Sequence, residues 1–352
     1  DDTKCEEGKK KKKKKKKPES DDDDASDFGK AKRGWAFSTR FLALRAAVKA
    51  VAYRGLAVAS RQKRAAEIVV GLLEARGAPP FRGAVASSAE RAELRLTAAS
   101  TALKLATTTN EAFSFDEWRA VAAVVDDDVP SVRRALVAKL ERLLQTRAAE
   151  ATVFVRWAPV LALACAVCPS GQKKKRKHQD RTKEDLSATA KRALAIGVAR
   201  ARAAHDRALA AVDDDARRDT LAWNLLPEYA APLAIHLVAK VFAGDDPAPR
   251  AAVLSALFDA LAANLDATVA DNVSFLLKCC AEIAACDDRD AAQAANEAAS
   301  LLKTKYITGI DDLAPYPGKI YLPPSLFPKA AAAAARRHLF DDDDLGDDDL
   351  GD

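Results

Sequence analysis

From residue 35 onward, apolar residues recur at the three-and-four spacing that puts them on one face of an α-helix. Phe37, Phe41, Leu44, Val48 and Val51 predict a first helix, with Gly55 near its end. A second runs through Ala65, Ile68, Val69, Leu72 and Leu73 and closes at Gly77, ahead of Pro79-Pro80. Ser87 and Glu90 precede Leu94, Leu96, Ala99, Leu103 and Leu105; Ser114 and Glu117 stand likewise beside Phe115, Trp118, Val121, Val124 and Val125. This spacing predicts capping boxes, in which the hydroxyl takes the third amide of the helix and the carboxylate returns to the first.

The next stretch, Asp128-Val129-Pro130-Ser131-Val132-Arg133, predicts a helix start with either the Asp128 carboxylate as N-cap or Pro130 in the first turn. The helix continues on Val132, Leu136, Leu140, Leu143 and Leu144, with Leu136 and Leu140 expected to face the helix at 115–126. An aspartate turn after one amphipathic helix, then Val-Arg opening its partner, is the local pattern of a HEAT repeat. Val132 would point between paired helices, while Asp128 and Arg133 would tie one repeat's turn to the next.

Helical periodicity continues through 151–168, 187–212 and 219–242, the last holding Pro227 and Pro232. Those prolines lack amide hydrogens, so each is expected to break or bend helical pairing, with Leu226-Pro227-Glu228-Tyr229 starting a helix. Tyr229 and His236 lie seven residues apart and share a face, either packed in the core or lining a partner groove. Further helices follow from Asp246, over 269–283 and over 289–304, and the chain then becomes Pro-rich and extended. About ten helices and no sustained strand pattern predict an all-α fold, an α-solenoid of HEAT-like antiparallel helix pairs over 35–304. It is flanked by a charged segment at 1–34, expected to be disordered, a Pro-rich exit segment at 305–328, and an Ala run with an acidic, disordered tail at 329–352.

Composition agrees: 78 of 352 residues are Ala, only 14 are Gly, and aromatics make up 6%. There is no Met, even at position 1, so the chain is expected to be a piece of a longer protein. No apolar run of membrane-spanning length and no signal peptide stand in it, so a soluble, unsecreted protein with reduced thiols is expected. Net charge is +5, but residues 1–34, with an unbroken run from Lys9 to Lys17, carry +3 and the tail 341–352 carries −8. Residues 172–183 carry +6, leaving only +4 for the rest of the body. The helical body therefore does not read as a strongly basic nucleic-acid grip.

Candidate chemistry is sparse. No Gly-rich phosphate loop, GxSxG or HExxH is present, so neither a cofactor nor a small-molecule substrate is expected. Of four histidines, His178 and His338 sit in charged stretches and His236 in an apolar run, where a core or groove residue is the expectation. Cys165 and Cys168 have zinc-like spacing, with Cys279, Cys280 and Cys286 as conceivable partners, but both sets fall in predicted helices without a completing ligand set, so all five are expected to be buried thiols. Within the basic, helix-poor insertion at 171–185, Lys173, Lys174, Lys175, Arg176 and Lys177 have the form of a nuclear import signal. The same charges suit DNA phosphate contact or a plain solvated loop.

Three stretches together resemble the cohesin-associated HEAT-repeat family of sister-chromatid cohesion factors, named for precocious dissociation of sisters. They are LRLTAASTALKLA at 94–106 running on to FDEWRAVAAVVDDDVPSVRRALVAKLERLL at 115–144, WNLLPEYAAPLAIHLVA at 223–239, and YLPPSLFP at 321–328. Pro227, Glu228, Tyr229, Pro232 and His236 carry the most distinctive element. The resemblance spans roughly 35–328 and matches the C-terminal part of that family's helical body. It implies a non-catalytic, nuclear and chromatin-associated regulator that binds cohesin through its kleisin subunit and modulates cohesin's maintenance on chromatin and its release. The cohesin-release factor and the cohesin acetyltransferase are the further implied partners, with DNA contact weak or indirect and no membrane role. A nuclear transport receptor or another peptide-binding helical-repeat scaffold is the alternative, and binding of a small GTPase would favour it.

Overall fold

The computed structural model describes residues 42–43, 46, 59–78, 87–108, 113–148, 150–167, 180–213, 227–242, 244, 246–262, 269–306, 316, 320, 322 and 326–327. The first predicted helix lies almost wholly outside them, as do 1–34, Lys173 to Lys177, His178, Cys168 and the tail.

Among the described residues the chain forms ten α-helices and no strand. They are α1 Ala59–Glu74, α2 Ser88–Thr108, α3 Phe115–Ala122, α4 Pro130–Arg147, α5 Ala151–Val167, α6 Asp180–Ala210, α7 Ala230–Val241, α8 Ala248–Ala262, α9 Val269–Ala284 and α10 Arg289–Tyr306. Short 3-10 turns at Ala123–Asp126 and Pro227–Tyr229 extend α3 and precede α7. Consecutive helices pair, α1 with α2, α5 with α6, α7 with α8 and α9 with α10, while α4 meets α3 through the 3-10 turn that extends it, and the pairs stack. The odd-numbered helices touch in chain order through one layer (α1, α3 with its 3-10 turn, α5, α7, α9), the even-numbered ones through the other. This is the predicted α-solenoid: each pair cannot cover its own apolar face, and stacking makes one continuous core from Ala65 to Phe327.

Local signals act as the pattern requires. At α3 the Ser114 hydroxyl accepts from Glu117 N at 3.4 Å while the Glu117 carboxylate accepts from Ser114 N at 2.7 Å. Ser87 and Glu90 form the same box before α2. α1 ends in a Schellman turn, with Gly77 N donating to Leu72 O at 2.8 Å and Arg76 N to Leu73 O at 2.9 Å. Its left-handed position is held by Arg76 at φ 49°, with Gly77 following at φ 76°. Val132, Leu136, Leu140 and Leu144 of α4 are all buried.

Four expectations are corrected. Asp128 does not cap α4: Val129 is the N-cap, without a side-chain bond, and Pro130 opens the helix. Asp128 points to solvent, because its neighbour Asp127 is the one turned inward toward Arg95. α6 reaches back to Asp180, into the segment read as a helix-poor insertion to 185. Residues 180–185 need no apolar face to be helical, since Arg, Lys and Glu are strong helix formers. Pro232 neither breaks nor bends α7, because it falls in the first turn, where its missing amide has no intrahelical acceptor. Finally, the Pro-rich segment does not simply leave the fold: Tyr316, Leu322, Leu326 and Phe327 are buried against the helices.

Candidate functional site

The charged residues that this sequence places in and beside its turns converge on the junctions between helix pairs. At the first, Arg95 of α2 grips Asp127 in the α3–α4 turn with two bonds, Nε to Oδ2 at 2.5 Å and Nη2 to Oδ1 at 2.9 Å. Asp127 Oδ1 also accepts from Val129 N at 2.9 Å, and Arg133 Nη1 donates to the Asp127 carbonyl. Arg95 Nη1 reaches back to the Arg76 carbonyl at 3.0 Å. One guanidinium thus ties the end of α1, the body of α2 and the turn into α4.

The second junction is more deeply enclosed. Glu228 has no solvent exposure, and its Oε1 accepts from Arg202 Nη2 at 2.6 Å and Asn272 Nδ2 at 2.8 Å. Arg202 Nη2 also donates to the Leu261 carbonyl at 2.9 Å. The node joins α6, the turn before α7, the end of α8 and α9, which belong to three successive pairs. Pro227 explains the placement: its fixed φ and absent amide suit a helix start, and the following residue is turned inward instead of out to water. At the third junction Arg250 of α8, itself buried, makes a bidentate pair with Glu297 of α10 at 2.8 and 2.7 Å and donates to the Phe242 and Gly244 carbonyls. Arg250 holds Glu297 below the usual carboxylate range. Arg202 and Arg250 carry no sequence signal of these roles beyond an inward-facing position on an Ala-rich helix.

The odd-numbered layer carries an aromatic seam. His236 of α7 is buried, with its ring edge-on to Phe115 of α3 at 4.3 Å and to Phe327 at 5.6 Å. Burial pushes its pKa down, and its Nδ1 has no hydrogen-bond partner among the described residues. Tyr229, half-buried, meets Phe275 of α9 edge-on at 5.0 Å, and Phe275 meets Tyr316 at 5.2 Å. Lys278 Nζ donates to the Tyr316 carbonyl at 3.4 Å. Tyr316 therefore lies against α9, and Phe327 against α7 where His236 meets α3.

Among the described residues no group of three metal-ligating side chains comes together, and no helix is long and apolar enough to cross a membrane. Cys165, Cys279 and Cys280 are buried as expected, whereas Cys286, just past the end of α9, is only half-buried; none of the described cysteines is in a disulfide, and burial pushes the Cys280 thiol up to about 12. Such thiols are poor nucleophiles at neutral pH.

Comparison with known families matches residues 7–328 to the family described as "Sister chromatid cohesion protein PDS5 protein". Comparison with curated proteins gives no match.

Proposed function

Because the chain belongs to the PDS5 family of sister chromatid cohesion proteins, we propose that it acts as a non-catalytic regulator that binds the cohesin complex through the kleisin subunit. In this role it modulates cohesin's maintenance on chromatin and its release, in the nucleus, in cooperation with the cohesin-release factor and the cohesin acetyltransferase. The observation that carries the reading is the extent of the family match, which runs through all ten helices and on to the buried Phe327. The architecture is compatible: a two-layer stack offers a long surface for an extended partner segment, and its buried polar groups hold repeats together instead of meeting a substrate.

The test is a pull-down from nuclear extract on the whole chain, followed by binding of the purified kleisin subunit alone. Recovery of cohesin with direct kleisin binding is expected. Recovery of a small GTPase without cohesin would replace this reading by that of a transport receptor.

A further inference from the structure

The residual body charge, so modest as a sum, is not spread evenly once the helices are stacked. α4 carries five Lys/Arg and one Glu, and α6 from Lys191 to Ala210 carries five Lys/Arg and one Asp. These two helices are neighbours in the even-numbered layer and run the same way, with Arg192 beside Glu141 at 3.7 Å. Several of the cations are consumed by the fold: Arg133 and Arg202 at the junctions, Arg147 by Glu150 and Arg192 by Glu141. Arg134, Arg142, Lys191 and Arg200 are exposed and have no ion-pair partner among the described residues; exposed Arg207 donates only to the Ala203 carbonyl of its own helix.

From this we propose that the exposed face of α4 and α6 is a binding surface for the phosphate backbone of duplex DNA, read without regard to base sequence. Lys191 to Arg207 spans about 24 Å along α6, roughly two-thirds of a turn of duplex, and α4 adds a parallel row about 10 Å away. Arg200 and Arg207 edge an open recess of about 210 Å³ at the C-terminal turns of the two helices, completed by Thr146, Ala148 and Ala203 and free of any carboxylate lining. A guanidinium suits phosphate oxygens by its planar fork of donors. The alternative occupant, an acidic peptide, lacks an anchor: the exposed large apolar side chains among the described residues are Leu42 and Ile68, and neither is on this face. Recognition by charge alone fits a rigid line of phosphates better than a peptide that must also be ordered. The inference does not depend on kleisin binding, and the aromatic seam lies in the other layer.

The experiment uses the whole chain, a 30-base-pair duplex of arbitrary sequence and fluorescence anisotropy across a salt series. The lysine runs at 9–17 and 173–177 are further dense positive charge, so they are first replaced by Ser to isolate the face. This background chain is expected to retain salt-dependent binding. Adding R134Q, R142Q, R200Q and R207Q is expected to flatten the slope of log K against log salt by about 3 to 4 and to weaken binding at least tenfold at 0.15 M salt. All four positions are exposed, so an unchanged far-UV spectrum and thermal midpoint are expected to accompany the loss; should the fourfold variant misfold, R200Q and R207Q singly are each expected to lower the slope by about one. Loss of all binding in the background chain, an unchanged slope in the variants, or tighter binding of a poly-Asp peptide than of DNA would each overturn the proposal.

Discussion

Replacing Arg202 by Met tests whether the Glu228 node holds the third and fourth helix pairs together. Arg202 supplies two bonds from one nitrogen, to Glu228 Oε1 at 2.6 Å and to the Leu261 carbonyl at 2.9 Å. The Met side chain keeps most of the volume and removes the charge. Glu228, with no solvent exposure, is then left with Asn272 as its one described donor. Breaking a buried pair by removing one partner costs about 3–5 kcal/mol, because the remaining charge is uncompensated. In a repeat stack that loss falls on one junction, so the chain is expected to unfold in two denaturant transitions, the half beyond α6 parting from the half before it. The double variant R202M/E228Q removes both charges while leaving an oxygen for Asn272, and is expected to recover all but about 1–2 kcal/mol. Urea unfolding followed by circular dichroism, with hydrogen exchange at α7 to locate the weakened junction, measures both. A cost below about 1 kcal/mol for R202M, or a double variant no better than the single, would mean that the pair does not couple the repeats.

Leu140 is fully buried on α4, so Leu140→Ala is expected to cost about 2–5 kcal/mol; an unchanged urea midpoint would mean its face is not core. Arg76 holds the left-handed position that ends α1, so R76G is expected to raise stability by about 0.5–1 kcal/mol, read as a higher melting temperature. Burial lowers the pKa of both His236 and His205 in the folded chain. Their contribution is whole above the unfolded value of about 6.5 and is lost as pH falls below it. Melting temperature is therefore expected to drop on acidification through that range, and H236Q/H205Q is expected to flatten the drop. For His236 the surrounding Asp288, Asp116, Lys240 and Arg119 partly offset one another, leaving burial as the dominant cause.

What was legible in the sequence is what neighbours in the chain decide. Apolar spacing placed the core faces of α2 and α4 and most of that of α1, where Ile68 is exposed instead, and the Ser87/Glu90 and Ser114/Glu117 pairs placed two helix starts, because a capping box closes within one turn of backbone. Pro227 marked the start of the turn into α7 for the same reason. Stacking, by contrast, is settled between residues far apart. Asp127 and Asp128 are chemically identical in the chain, and only Arg95, thirty-two residues earlier, selects which one turns inward. The sequence marks Glu228 only as part of a helix start; that Arg202 and Asn272 arrive from two other helices to share its Oε1 is decided by the stack. Tyr316 and Phe327 sit among prolines that say only "not helix", and their burial depends on the grooves that α9 and α7 present. Net charge is a property of composition, but whether cations repel in solvent or line one ridge follows from which helices lie side by side, and that is fixed by the burial of apolar faces across the whole stack.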